Sequence, residues 1–353
     1  MPHQPATDSP LKYRVSLIPG DGIGPEVTAA MVRAVDHVTE GRIEWETVLA
    51  GSAAVEAGLE ALNEDAIASI RRNRIAIKGP LQTPIGGGWR SVNVSLRQGL
   101  DLYACLRPVA TLPGSTRARY DNVDLVVVRE NTEGLYSGRE HEVVDGVVEA
   151  LKIVTRRASE RIIRFAFEYA RNHGRKRLCI LHKASVMRLG EGLFLDCARE
   201  VARDYPYLEV NYRAVDKVFL DLVLDPTAYD MLVSGNLDGD LLSDLCAGLV
   251  GGLGLVPGAN IGDGHAVFEA VHGTAPDLAG KDLANPLAVI LSAELMLRHI
   301  GEELPARRLR DAVEQLLRRG ESLTRDLGGQ ASTRQLTEAL LRILDQGAAE
   351  VGT

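Results

Sequence analysis

The sequence predicts an α/β fold built on a parallel or mixed sheet, and three observations carry that prediction. Short apolar runs alternate with stretches of helical spacing, the order expected of strand-helix-strand units. The runs are nearly continuous in hydrophobic residues, as strands covered on both faces must be. The chain has 353 residues, more than one hydrophobic core usually organises, so about two domains are expected.

The strands are expected at Val15–Ile18, Ile75–Ile77, Leu125–Val128, Leu178–Leu181 and Met231–Val233, each too short for a helix and bounded by polar or glycine-rich sequence. The first runs into Pro19-Gly20-Asp21-Gly22-Ile23-Gly24-Pro25. These glycines fall at alternate positions rather than as Gly-x-Gly-x-x-Gly, which argues against a standard Rossmann turn, and Pro25 suits the first turn of a helix. Such a turn would still offer N–H groups to a cofactor. Helical spacing covers Pro25–His37, Ser159–Asn172 and Glu191–Asp204. Between two of these helices, Glu140–Thr155 carries Asp145-Gly146 flanked by valine pairs, a hairpin signal, and an exposed hairpin can pair with a copy of itself. No repeat, low-complexity stretch or proline-rich linker marks a boundary, so the domains are expected to be built from discontinuous pieces.

Composition narrows the function. Hydrophobic residues make up 45% of the chain and charged ones 25%, as in an ordinary globular protein, and no run reaches the ~20 apolar residues of a membrane span. A net charge of -8 argues against a general nucleic-acid binder, so an anionic substrate would need a local basic pocket. Cys105, Cys179, Cys197 and Cys246 lack Cys-x-x-Cys spacing and are expected as buried free thiols. Met1–Pro10 shows neither a signal-peptide core nor an arginine-rich transit pattern, which gives the expectation of a loose tail on a cytoplasmic protein.

Four groups of residues carry chemistry. The segment Pro84–Arg97 supplies Ser91, Asn93 and Arg97, followed by Arg107 and by Arg129 at the end of an apolar run. These arginines are expected near element ends or turns. Buried at a strand end, a guanidinium needs an anionic partner, and three converging forks suit a polycarboxylate; separate ion pairs are the alternative. Asp240 and Asp244 lie one helical turn apart, on one face if Asp240 begins a helix. Oxygen donors without nearby His or Cys suit Mg²⁺ or Mn²⁺, against the alternative of a solvated helix start. Glycine-rich Gly248–Gly264, then His272-Gly273-Thr274-Ala275-Pro276-Asp277-Leu278, could wrap an adenine and ribose or form an ordered surface loop. Finally, Arg129-Glu-Asn-Thr-Glu-Gly-Leu-Tyr136 places a phenol close behind a cation.

Taken in order, these segments resemble the β-decarboxylating dehydrogenases that act on isocitrate, homoisocitrate, isopropylmalate and tartrate or malate, over about Val15 to Gly301. The resemblance implies a non-Rossmann α/β/α isopropylmalate/isocitrate dehydrogenase-like fold of two interleaved domains. Residues 1–99 and 256–353 would form a large, cofactor-side domain, and residues 100–255 a small domain with the dimer interface. The hairpin at 137–155 would be a dimer clasp. It also implies catalytic roles for Tyr136 and for Lys183 in His182-Lys183-Ala184. Metal ligation would fall to Asp240 and Asp244 with Asp216, where Lys183 and Asp216 reach the partner subunit's site in a homodimer. Thr83, His272, Gly273, Thr274, Ala275, Asp277, Leu278 and Asn285 match cofactor positions.

Substrate and cofactor choice follow from particular side chains. Ser91 and Asn93 stand where isocitrate dehydrogenases hydrogen-bond the γ-carboxylate, and a hydroxyl with an amide would bind an alkyl tail poorly. Asp277 would repel a ribose 2'-phosphate and accept from a free hydroxyl, which favours NAD. Gln82, Ser185, Asp221 and Asp238 depart from the family pattern, leaving room for an isocitrate analogue such as a phosphonate. A non-catalytic regulatory subunit is a further alternative. The presence of Tyr136, Lys183, Asp216, Asp240 and Asp244 argues against it.

Overall fold

The structure, a computed structural model, describes residues 13–84, 89 and 91–351. The tail expected at Met1–Pro10, and Ile85–Gly88 with Arg90 in the segment before Ser91, lie outside the described residues. In chain order the strands are β1 (Tyr13–Ile18), β2 (Ile43–Thr47), β3 (Ile75–Lys78), β4 (Ala104–Ala110), β5 (Asp124–Glu130) and β6 (Glu140–Val144). They continue with β7 (Val147–Ala150), β8 (Arg177–His182), β9 (Glu209–Ala214), β10 (Met231–Ser234), β11 (Pro257–Ile261) and β12 (Ala266–Ala270). The helices are α1 (Gly24–Thr39), α2 (Ser52–Glu56), α3 (Glu64–Asn73), α4 (Val92–Gly99), α5 (Arg156–Asn172) and α6 (Gly190–Ala202). After them come α7 (Val215–Leu224), α8 (Asn236–Leu249), α9 (Leu287–His299), α10 (Glu303–Arg319) and α11 (Thr333–Val351).

All five strands expected from apolar runs form, and they join one ten-stranded sheet ordered β2-β1-β3-β12-β11-β4-β5-β10-β8-β9. Its two wings pair in parallel, while β12, β11, β4 and β5 pair antiparallel at the centre. Side chains of successive residues point to opposite faces, so each wing strand feeds two cores. Val126 and Val128 pack with α5, α6 and α9, whereas Leu125 and Val127 pack with Val218, Leu222 and Leu242 of α7 and α8. A third cluster joins Ile18 and Ala76 to Ile70 of α3 and Leu96 of α4. On this second face the α3–α4 group and the α7–α8 group sit over opposite wings.

Local signals set the boundaries. Thr155 caps helix α5, its hydroxyl accepting from the Ala158 N–H at 3.2 Å, and Asn63 caps α3 through the Ala66 N–H at 2.9 Å. The hairpin expected around Asp145-Gly146 forms as β6 and β7, with Gly146 at φ 75°. Its valines point into solvent, Val148 being 62% exposed.

Three expectations need correction. Gly248–Gly264 is no pliable loop: it contains β11, which lies buried at the centre of the sheet. Small residues there let neighbouring strands approach. Helix α8 begins at Asn236 rather than at Asp240, although Asp240 and Asp244 still share a face. The Pro19–Pro25 turn does not offer free amides throughout, because Asp21 N–H donates to Pro80 O at 2.7 Å and Ile23 N–H to Thr274 O at 2.9 Å. A Cβ on Gly20 would stand 2.4 Å from Pro80 O, so glycine is required for this stitching. The four cysteines are free and buried, as expected.

Candidate functional site

A cavity of about 230 Å³ is lined by residues from both helical groups and from the strands between them. From the β3 side come Lys78, Ser91, Asn93 and Arg97. Arg107 comes from β4, Arg129 from the end of β5, and Tyr136 from the turn that follows. Asp240 projects from α8, and Glu269, His272 and Gly273 from the end of β12 and the loop beyond. Four cationic side chains thus face two acids among the lining residues. This is the local basic pocket that a chain of net charge -8 needs in order to hold an anion.

Each arginine is held by groups that sequence spacing alone did not connect. Arg129, 1% exposed, forks through Nε and Nη2 onto Asn236 Oδ1 at 3.1 and 2.7 Å and pairs through Nη1 with Asp240. Asp240 is therefore the anionic partner that its buried charge demands. Its guanidinium also lies 5.1 Å from the centre of the Tyr136 ring. Contrary to expectation, Arg107 lies inside β4 rather than near an end. The antiparallel centre aims it at Ser243, with Asp244 at 3.6 Å and Asp240 at 3.9 Å. Arg97 sits in the last turn of α4 and donates to Glu269 Oε1 at 2.9 Å.

Burial and charge divide the titratable groups. Burial alone would raise the Asp240 carboxyl, yet Arg129, the Tyr136 hydroxyl and Arg107 hold it below the ordinary carboxylate value. Asp244 is raised, by burial above all, with Asp240 adding to the effect. Burial, then the hydrogen bond to Asp240, raises the Tyr136 phenol above its ordinary value, so it stays protonated at neutral pH. Burial likewise lowers His272. The neutral ring donates from Nδ1 to Gly273 O at 3.1 Å, and buried Nε2 has no partner among the described residues.

Several candidate residues lie outside the cavity walls. Thr83 is adjacent, its hydroxyl 3.2 Å from that of Ser91. The Thr274 carbonyl fixes the loop to the glycine turn, Ala275 has φ 36°, Asp277 is exposed, and Leu278 N–H bonds Ala275 O at 2.9 Å. Asn285 uses its amide on Gly254 O, Asp326 and the Leu287 N–H, which orders the ground beneath that loop. Lys183 and Asp216 pair with each other and do not line the cavity.

Lys78 and Glu269 were missed. Lys78, 2% exposed, forms a buried ion pair with Glu269, and Glu269 is held well below the ordinary carboxylate range against the opposing effect of burial by Lys78 and Arg97. Each is a charge at the end of an apolar run, as Arg129 is, but the two lie far apart along the chain and nothing local joins them.

Asp240 and Asp244 offer only oxygen donors from one helix face, which fits Mg²⁺ or Mn²⁺, ions commonly held by one or two carboxylates together with a substrate. No group of three potential ligands forms within the chain among the described residues. A third protein ligand would have to come from elsewhere.

Comparison with known proteins follows the same outline. The family model described as isocitrate/isopropylmalate dehydrogenase matches residues 14–340. A Drosophila melanogaster protein named probable isocitrate dehydrogenase [NAD] subunit alpha, mitochondrial, is 48% identical over 327 residues, 93% of this chain and 86% of that one. A Solanum tuberosum 3-isopropylmalate dehydrogenase, chloroplastic, is 52% identical over 301 residues, 85% of this chain and 84% of that one. The crystal structure of isocitrate dehydrogenase from Methylococcus capsulatus superposes with a TM-score of 0.91 at 48% identity, covering 94% of this chain and 99% of that one. These relatives overturn the expectation of a cytoplasmic protein, since NAD isocitrate dehydrogenases among them are named mitochondrial. That expectation rested on the lack of a pattern in ten residues, and a fold carries no address.

Proposed function

The chain belongs to the isocitrate/isopropylmalate dehydrogenase family, and we propose that within it the chain oxidises and decarboxylates isocitrate to 2-oxoglutarate and CO₂ with NAD. One observation carries the substrate choice. Ser91 and Asn93 line the cavity beside Arg97, Arg107 and Arg129, bringing a hydroxyl and an amide N–H donor to its wall. An alkyl tail would leave these polar groups unpaired, whereas a third carboxylate would be met by the Ser91 hydroxyl and the Asn93 amide. Identity does not decide the matter, because the potato isopropylmalate relative is as similar as the NAD isocitrate relatives.

In this reading the arginine forks hold the acid groups and fix the α-carbon toward the nicotinamide. Asp240 and Asp244 would hold Mg²⁺ or Mn²⁺, which supplies Lewis-acid polarisation of the substrate's α-oxygen. With Asp240 turned to such an ion, the Tyr136 hydroxyl that now donates to its carboxylate would be left to the substrate. The protonated phenol is then the general acid that delivers a proton to the carbon left by departing CO₂. NAD would lie along the Gly273–Leu278 loop, with exposed Asp277 accepting from the ribose hydroxyl.

The site is completed by a second copy, in a homodimer. Lys183 and Asp216 stand apart from the cavity, on the loop after β8 and on α7, segments that also expose Leu189 (91%) and Leu224 (67%). Such exposure is unusual for a surface that stays wet. The β6–β7 hairpin would act as the clasp. Lys183 of the second copy would take the proton from the substrate hydroxyl, and Asp216 of that copy would give the third metal ligand. Residues 1–99 and 256–353 would close as one domain on residues 100–255. Nicotinamide reduction at 340 nm tests the proposal, with isocitrate, homoisocitrate, isopropylmalate and malate offered with Mg²⁺ and NAD or NADP. Turnover confined to isocitrate with NAD supports it; preference for another acid, or no turnover, contradicts it.

A further inference from the structure

Beneath the cavity a chain of buried polar side chains leads to Arg97, and its inner members, Asn131 and Asn260, take no part in the proposed chemistry. Asn131, directly after β5, donates through Nδ2 to Leu102 O at 3.0 Å and to Asn260 Oδ1 at 2.9 Å. Asn260, on β11, donates in turn to Glu269 Oε1 at 2.7 Å. The same Glu269 oxygen accepts from Arg97 at 2.9 Å, while Glu269 Oε2 takes Lys78. All five side chains are buried, Asn260 being 1% exposed. The hydrogen bonds point one way, from Asn131 toward the anion, so each polarises the next.

This chain crosses the antiparallel centre of the sheet. At one end stands Asn131, between Arg129 and the Glu130-capped turn that leads to Tyr136: Glu130 accepts from the N–H groups of Thr132 and Glu133 at 2.8 and 3.0 Å. At the other end stands Arg97, braced by Glu269 where it lines the cavity. An amide suits this position because it accepts from one neighbour and donates to the next without adding charge. A carboxylate would set a second anion against Glu269, and an aliphatic residue would remove one hydrogen bond from each neighbour, leaving Asn131 to Leu102 O and Glu269 to Arg97 and Lys78.

We infer that Asn260, fixed by Asn131, is a positioning residue that sets Glu269 as the brace for Arg97, and so registers the two ends of the substrate site across the sheet. The inference rests on the proposed binding of a polycarboxylate by Arg97. A double-mutant cycle on the whole enzyme tests it, with Asn260→Ala, Arg97→Lys and the pair assayed alongside Asn260→Ala combined with Arg107→Lys. Asn260→Ala is expected to raise KM for isocitrate about 10-fold, the size of one hydrogen bond to a charged group. KM for NAD should stay unchanged, and kcat within about threefold, as loss of ground-state positioning dictates. Its effect should vanish in the Arg97→Lys background and persist with Arg107→Lys. Asn131→Ala, assayed likewise, gives the same test should Asn260→Ala fail to fold, with a smaller rise expected. Unchanged KM, or full additivity with Arg97→Lys, overturns the inference while wild-type turnover leaves the proposed function standing. A wild-type chain without saturable isocitrate turnover removes both.

Discussion

The ammonium of Lys183 donates to the carboxylate of Asp216, and neither residue lines the cavity that holds Tyr136 and Asp240. The hydrogen bond from Lys183 lowers the Asp216 carboxyl below its ordinary value. Within one chain, therefore, a base and a metal ligand expected at the site neutralise each other elsewhere. Both are presented on α7 and on the loop after β8, next to exposed leucines and valines. The proposed dimer accounts for the pairing and the exposed apolar surface together.

Arg129 is the most constrained of the three arginines, because Asn236, Asp240 and the Tyr136 ring all contact its guanidinium. Arg129→Lys keeps the charge but cannot fork onto Asn236 while reaching Asp240. A fall in kcat/KM for isocitrate of about 100-fold is expected, from lost orientation. Steady-state kinetics check this, and near wild-type values would remove the arginine from the site.

Asp277 lies exposed on the loop that Thr274 stitches to the glycine turn. Asp277→Lys replaces a charge that repels a 2'-phosphate with one that attracts it. The ratio of kcat/KM for NAD to that for NADP should fall by at least about 10-fold, equivalent to one Coulombic contact near a surface. Comparison of the two cofactors at fixed isocitrate measures it. An unmoved ratio would place the ribose elsewhere.

His299 stacks edge-on against Phe268, with ring centres 5.6 Å apart, and burial lowers it from the ordinary value of 6.5. The unfolded chain therefore binds more protons than the folded one below about pH 6.5, so His299 contributes stability that is lost as pH falls through that range. His299→Gln should lose less thermal stability than wild type between about pH 7.5 and pH 5.5. Melting curves at the two pH values decide it, and equal slopes would show that His299 titrates alike in both states.

How much of this was legible in the sequence depended on burial geometry. β5, β8 and β10 are covered on both faces, and continuous apolar runs announced them. β11 and β12 escaped notice because Asn260 and Glu269 interrupt their apolar character, and those residues are polar because they face the buried network under the cavity. The arginines, Tyr136 and Asp240 were legible as a group and converge on one cavity. Lys78 was not, since a lysine at a strand end is ordinarily solvated and its partner lies far along the chain. The Asn285 amide illustrates the converse: Gly254, Leu287 and Asp326 engage it, contacts that no local spacing encodes.

Whether one active site draws on two chains is the central claim, and mixing two inactive variants tests it most directly. Tyr136→Phe and Lys183→Met chains would each form dimers with two broken sites. Unfolded together and refolded, they would pair at random, and each mixed dimer would hold one site with both Tyr136 and Lys183 intact. Isocitrate-dependent NAD reduction should then return to about one quarter of the wild-type rate per chain, as random pairing of two-fold dimers requires. No recovery above the separate variants, with mixed dimers present by mass, would contradict a shared site and place Lys183 in the site of its own chain.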